Sequence, residues 1–165
     1  MLPDAEALML ALIERIRPQA GPDTGLVGIH TGGVWVAQRL HAALGLKLPL
    51  GTIDIAFYRD DYKKKGLAAS VRPSDIRFSV DNTPIILVDD VLYTGRTIRA
   101  AMNEIFDYGR PSSIRLAALV DRGGRQLPIC PDYVGATLQV PATQTLELQR
   151  DAAGRLSLHL LERGA

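Results

Sequence analysis

Two adjacent carboxylates, Asp89 and Asp90, end a short apolar run, Ile85 to Val88, and are followed by Val91-Leu92-Tyr93 and then Thr94-Gly95-Arg96-Thr97. Residue types in this order constrain the chemistry. The apolar run is short and β-branched enough for an interior strand, with Val91-Leu92-Tyr93 expected as a loop. Beyond it Ile98, Ala101, Met102, Ile105 and Phe106 recur at three- and four-residue spacing, the stripe of an amphipathic helix. A small, hydroxyl-rich turn between strand and helix points backbone N–H groups and the positive end of the helix dipole above the sheet, which favours a phosphate. Carboxylates do not hold phosphate directly. They suit vicinal hydroxyls and a hydrated Mg²⁺, which takes oxygen ligands and keeps several waters. A ligand with a terminal phosphate, two free hydroxyls and a metal-bound second anion meets both demands, as a phosphoribosyl group does.

A second, weaker unit precedes this one. Leu26 to His30 reads as a strand, Thr31-Gly32-Gly33 as its loop, and Val34 to Leu44 as a helix with Val36, Leu40 and Leu44 aligned. Two glycines before a helix are by themselves a tight turn. Beside the first unit on a parallel sheet, however, they would face the same ligand, because such sheets bind at the carboxyl ends of their strands. Gly51 to Tyr58 is a further strand, rich in β-branched and aromatic residues. The polar, charge-dense stretch from Arg59 to about Asn82 lacks periodicity and reads as a long surface loop. After the central helix, closed by Gly109, Ile114 to Val120 forms another strand that ends on Asp121-Arg122-Gly123-Gly124. From Gln126 onward the pattern shortens into small alternating strands at Tyr133-Val134, Thr137 to Val140, Leu146 to Leu148 and Leu156 to Leu160. At the other end Asp4 to Ile16 is an amphipathic helix, with Leu8, Leu12 and Ile16 on one face.

The bulk properties narrow the class. At 165 residues the chain makes one domain, with 47% hydrophobic and 22% charged residues. A formal charge of +1 removes overall basicity as an argument for nucleic acid. Cys130 stands alone and cannot form an internal disulfide, and His30, His41 and His159 lack metal-ligand spacing. No apolar run approaches the roughly 20 residues that span a bilayer, and Met1-Leu2-Pro3-Asp4 has no basic leader. These features predict a cytoplasmic protein with no membrane partner. Trp35, Phe106 and Tyr108 are candidates for core or interface.

The stretch Val88 to Thr97 resembles the phosphoribosyl-pyrophosphate (PRPP) motif of type I phosphoribosyltransferases. Three flanking stretches, Asp54 to Asp61, Asp107 to Ile114 and Leu119 to Ile129, are similar to one family: the bifunctional pyrimidine operon attenuation regulator and uracil phosphoribosyltransferase. The similarity runs from about Leu26 to Gly135. It implies that uracil and PRPP give UMP and pyrophosphate with Mg²⁺, the metal water-bridged or held on PRPP. It also implies a role for each position. Thr94, Gly95, Arg96 and Thr97 would hold the 5′-phosphate, with Val91, Leu92 and Tyr93 in the same loop. Asp89 and Asp90 would hold the ribose hydroxyls, Thr31 and Gly32 would face the pyrophosphate, Arg59 would approach it from a lid, and Arg122 would contact substrate. One position departs from the pattern. Family enzymes commonly carry Thr-Arg-Gly where this chain has Thr31-Gly32-Gly33, which removes a cation beside the leaving group.

The resemblance also implies a homodimer and pyrimidine-leader RNA as a second partner. RNA affinity rests on neutralised phosphates, and the N-terminal helix has no Lys or Arg before Arg15; Arg72, Arg77 and Arg115 could compensate only if folding gathers them. A catalytically weak nucleotide or PRPP sensor is motivated by Gly32, and a purine transferase by a central motif that does not specify the base. The expected fold is α/β: a mainly parallel central sheet flanked by helices, a flexible lid over about 59–82 and a small C-terminal hood over 126–165.

Overall fold

The computed structural model describes residues 1–55 and 74–164. Strands β1 (Gly25–Ile29), β2 (Gly51–Ile53), β3 (Pro84–Leu92), β4 (Ser113–Asp121) and β5 (Tyr133–Thr137) form one parallel sheet in the order β2-β1-β3-β4-β5. Helices α1 (Ala5–Ile16), α2 (Gly32–Leu44) and α3 (Arg96–Tyr108) flank it, and β6 (Gln144–Arg150) pairs antiparallel with β7 (Leu156–Glu162).

Alternation along β3 decides which layer packs where. Ile86 and Val88 point into a core shared with α1, α2 and the β6–β7 hairpin, through Met9, Leu12, Val36, Leu40, Leu146 and Leu158. Ile85 and Leu87 point into the opposite core, with Ile98, Ala101 and Ile105 of α3. A strand covered on both faces must be apolar throughout, which is why the Ile85–Val88 run shows no alternation.

The boundaries differ from expectation in instructive ways. β3 does not stop at the acids. Asp89, Val91 and Leu92 continue the ladder with Ala118, Val120 and Asp121 of β4, so the expected loop begins only at Tyr93. Charge ends an apolar run without ending backbone pairing. Tyr133–Thr137 was expected in the hood, yet it pairs parallel with β4 as the fifth strand of the main sheet, so the separate hairpin starts at Gln144. Of the strand expected over Gly51 to Tyr58, β2 is the part seen at Gly51–Ile53; residues 56–73, with Arg59 and the body of the expected lid, lie outside the described residues. The end of that expected lid is bound to the sheet. Asp75 exchanges two backbone bonds with Thr52, at 2.9 and 2.8 Å, and covers the outer edge of β2. Phe78 lies over Gly25 and Gly51, where a Cβ on Gly25 would come within 2.7 Å of its ring. Phe106 and Tyr108 are exposed, at 57% and 43%, and belong to no core.

One polar cluster ties the hairpin to the helical layer. Asp4 caps α1 by accepting from the Glu6 N–H at 3.1 Å. The Glu6 carboxylate takes both arms of Arg39 from α2, at 2.9 and 3.1 Å, and also the Leu156 N–H at 2.7 Å; Arg39 donates in turn to the Gly154 carbonyl at 2.7 Å. The Arg39 guanidinium, with the Leu156 N–H, holds the Glu6 carboxyl below the usual carboxylate range, and Glu6 raises Arg39. A carboxyl with a lowered folded-state pKa contributes stability above its unfolded value, near pH 4.3, and that contribution disappears as pH falls through the folded value. Glu6→Gln should therefore cost roughly 1 kcal/mol at pH 7, the solvent-exposed Arg39 screening the pair below the value of a buried bond. Thermal melts of the two proteins should differ by about 2–4 °C at pH 7 and converge as pH falls through the folded-state value of Glu6.

Candidate active site

Strand order reverses between β1 and β3. The chain leaves β1 for β2 on one side and returns to β3 on the other, so the segments that follow the two strands diverge and open a crevice at their carboxyl ends. A cleft of about 580 Å³ occupies this place, within the range of small-molecule sites. A smaller cavity of about 370 Å³ between Pro84, Ser113 and Arg115 lies at the amino-terminal edge of the same strands, where parallel sheets seldom bind ligands.

One wall of the cleft is the start of α2. Thr31 and Gly32 line it, with Trp35 one turn along. Gly33 sits against β3 so closely that a Cβ there would be 2.7 Å from the Val88 carbonyl oxygen and 3.1 Å from the Asp89 Cα. The floor is the end of β3, contributing Asp89, Asp90 and Val91. The Asp89 carboxylate is buried at 2% exposure and accepts from the Asp90 N–H at 2.9 Å, and the Asp90 carboxylate accepts from the Val91 N–H at 2.8 Å. Both side chains are thus oriented by the backbone that carries them.

The loop from Tyr93 to Thr97 closes the next side. Thr94 is buried, its hydroxyl accepts from the Arg96 N–H at 3.2 Å, and its carbonyl accepts from the N–H groups of Gln126 and Leu127. Gly95 has φ +94°, and a Cβ there would meet the Ile129 side chain at 2.9 Å, so the turn demands glycine twice over. Tyr93 and Thr97 line the cleft. Arg96 donates to the Gln126 side chain at 2.9 Å. Of the residues expected at the site, Leu92 is the one that burial removes: it is 1% exposed and belongs to the α3-side core.

Arg122 lines the cleft, and its two terminal nitrogens bond backbone carbonyls. One terminal nitrogen donates to the Gln144 carbonyl at 2.9 Å, the other to the Val140 and Pro141 carbonyls at 3.2 and 3.1 Å, and the guanidinium stacks on the Tyr93 ring at 3.9 Å. With these bonds the side chain fastens the approach to the hairpin to the sheet. A residue overlooked in the sequence, Arg125, does the same for the loop. It donates to the Tyr93 carbonyl at 2.7 Å, the Ile129 carbonyl at 2.7 Å and the Asp121 carboxylate at 2.6 Å. Burial alone would raise Asp121, but Arg125 and the Gly123 N–H outweigh it and leave the carboxyl below its usual range. The hairpin and C-terminal segment add Glu147, Leu161 and Arg163, and Arg163 faces the Tyr93 ring at 5.1 Å. The glycine turn between two arginines gave no sign in one dimension of which guanidinium would point where.

Among the described residues no group of three His, Cys, Asp or Glu side chains is arranged to hold a metal ion. A pair of carboxylates fits a cation that takes its remaining oxygens from water and ligand, as Mg²⁺ does. No helix of the described residues is long and apolar enough to cross a membrane.

A reversed parallel sheet with an acidic pair and a glycine turn at a helix start suits a ligand that carries both phosphate and vicinal hydroxyls, and comparison with known proteins supplies the class. The family described as the phosphoribosyl transferase domain matches residues 3–149. Among curated proteins, the chain is 50% identical to the "Bifunctional protein PyrR" of Ralstonia nicotianae over 155 residues, covering 92% of this chain and 88% of that one. It is 56% identical to the "Bifunctional protein PyrR" of Pseudomonas paraeruginosa over 122 residues, 74% of this chain and 72% of the relative. Among solved structures, a purine phosphoribosyltransferase from Pyrococcus horikoshii superposes with a TM-score of 0.62 at 25% identity, covering 81% and 82% of the two chains. The chain belongs to the phosphoribosyl transferase domain family and, within it, to the PyrR proteins.

The Arg125 bonds make a prediction that needs no ligand. Arg125→Met keeps the apolar stem and leaves the Tyr93 and Ile129 carbonyls and the Asp121 carboxylate without that partner. Urea denaturation should show a loss of about 2–4 kcal/mol, the scale of breaking a largely buried charged pair on one side.

Proposed function

We propose that the chain is a uracil phosphoribosyltransferase that converts uracil and PRPP to UMP and pyrophosphate. The observation that carries this reading is the meeting, at one switch point, of Asp89 and Asp90 with the glycine start of α2 and the Tyr93–Thr97 turn. The three features suit the three parts of PRPP. The turn would take the 5′-phosphate on backbone N–H groups and the Thr94 and Thr97 hydroxyls, at the start of α3. Asp89 and Asp90 would accept from the ribose hydroxyls. Thr31 and Gly32 would lie along the pyrophosphate, with Arg59 approaching from the segment before β3.

The reaction asks little covalent chemistry of the protein. The bond from the anomeric carbon to pyrophosphate breaks with its electron pair on the departing oxygen. Uracil N1 then bonds to that carbon, and its proton passes to solvent. The residues have to fix the sugar, stabilise a leaving group and exclude water. Asp89 and Asp90 are the groups that would hold Mg²⁺, through its waters; bound there, the ion supplies positive charge beside the pyrophosphate. Buried Asp89 gives the site rigidity, and half-buried Asp90 reaches further into the cleft. Arg122 we assign to holding the hairpin, whose residues Leu146 to Leu148 and Leu161 would cover the base. The choice of uracil rests on the sequence stretches that flank the motif.

A second reading is favoured by the relatives' description as bifunctional: UMP- or PRPP-responsive binding of pyrimidine-leader RNA, with a homodimer as its scaffold. Of the arginines that could serve it, Arg72 lies outside the described residues. Arg15 donates to the Val134 carbonyl, Arg77 pairs with Asp75 at 2.9 Å, and Arg115 is held by Gln19 and Tyr133. A salt-dependent mobility shift of leader RNA decides it, and no shift at low salt removes the RNA reading.

The enzyme reading predicts UMP formation from uracil and PRPP with Mg²⁺, in preference to hypoxanthine, guanine and orotate offered in parallel. Asp90→Asn should lower turnover by about 10²-fold or more, the scale of a misplaced reacting group, with a melting temperature close to that of wild type. Turnover equal to wild type in that variant would remove the role given to Asp90. Silence with all four bases, in a protein that binds PRPP, would leave a nucleotide sensor.

A further inference from the structure

We propose that Gly32 is a positioning residue for Asp90: the missing side chain at position 32 is the space that the Asp90 carboxylate occupies. A Cβ built on Gly32 falls 2.6 Å from Asp90 Cγ, nearer still to Oδ2, and 3.0 Å from Asp90 Cβ. Real Cβ atoms are not found so close to a carboxylate, so on this backbone a side chain at position 32 obliges the Asp90 carboxylate to move. The inference rests on the role in ribose binding given to Asp90 above.

The charge arrangement says why the carboxylate lies there. The first N–H groups of a helix have no intrahelical partner and carry the positive end of its dipole. α2 has no acidic residue in its own first turn, and the Thr31 side chain makes no capping bond. Asp90, reaching across from β3, brings a negative charge to that helix start, while its other oxygen accepts from the Val91 N–H at 2.8 Å. The carboxylate is thus held between its own strand and the neighbouring helix. Position 33 differs in kind. Glycine there clears the Val88 carbonyl and the Asp89 Cα, which cannot rotate aside. Gly33 protects the fold, whereas Gly32 protects the placement of one functional side chain.

The two positions therefore behave as a coupled pair. Gly32→Ala folds, because the group in its way can rotate, but Asp90 leaves its place. In Gly32→Ala, kcat/KM for PRPP falls on the order of tenfold to a hundredfold, with most of the loss in KM for PRPP and little change in KM for uracil. In an Asp90→Gly background no carboxylate remains to be displaced, so adding Gly32→Ala costs less PRPP affinity than it does beside Asp90, read by calorimetry with PRPP and Mg²⁺. An arginine at position 32 carries the same Cβ, and Gly32→Arg brings no gain in turnover over wild type.

A crystal structure of Gly32→Ala, solved beside the kinetics, decides the placement whatever the activity. An unmoved Asp90 carboxylate overturns the proposal, as does a displaced carboxylate with wild-type PRPP kinetics, an equal loss in both backgrounds, or a gain from Gly32→Arg. If wild type neither forms UMP nor binds PRPP, the enzyme reading falls, and the crystal structure still tests whether Gly32 sets the position of Asp90.

Discussion

The structure depends on how closely α2 approaches the end of β3. At Gly33 the helix backbone and the strand backbone meet with no room for a methyl group between them. This contact puts the helix start, with its positive dipole end, beside two carboxylates near the end of a strand buried on both faces. Everything else in the site is arranged around that meeting. The reversal of strand order opens the crevice there, the turn after β3 supplies a second helix start, and the hairpin roofs the result.

Attachment of the roof follows a different logic. Its inner face is apolar: Leu146, Leu148, Leu156 and Leu158 join the same core as α1 and α2. Such burial is non-directional and does not by itself define how the hairpin sits. The directional part comes from arginines whose partners are backbone carbonyls of other elements. Arg39 bonds Gly154, and Arg122 bonds Val140, Pro141 and Gln144. Arg122 is itself buried, and a buried guanidinium is costly to leave unpaired, so these bonds favour one arrangement of the roof. Tyr93 connects the two parts, since its ring lies between Arg122 and the C-terminal Arg163 while its carbonyl is held by Arg125.

What was legible in the sequence follows from range. The strand–acid–turn–helix unit at Ile85 to Phe106 could be read because its signal is local: period, charge and turn chemistry all fall within some twenty residues. The main errors were also local signals misapplied. Two aspartates look like the end of a strand, but ladder pairing with β4 carries β3 on to Leu92, because backbone bonds do not depend on side-chain charge. Short alternating segments after Gln126 look alike, and only pairing with β4 separates β5 from the hairpin. The arginines could not be sorted at all. Arg122 and Arg125 flank the same glycine turn, and their carbonyl partners lie up to 32 residues away along the chain. Gly32 shows the same limit from the other side. In sequence it is a missing cation, and in three dimensions it is room for Asp90.

These two kinds of construction divide the cleft by function. The end that meets the sheet is defined by backbone: glycines at positions 32, 33 and 95, the carbonyl of Val88 and the N–H groups that orient two carboxylates. Backbone geometry changes little when side chains are exchanged, so this end suits the invariant part of a substrate, its phosphates and sugar. The other end is lined by side chains of a two-stranded hairpin, Leu146, Glu147, Leu148 and Leu161 among them. Exchange at Glu147 or Leu161, which lie outside the core, alters the lining without disturbing the sheet. A purine enzyme sharing this fold at 25% identity is what such a division would allow. On the function proposed above, base choice would fall to the roof, because the acidic pair and the helix start below it are set by backbone contacts of β3 and α2.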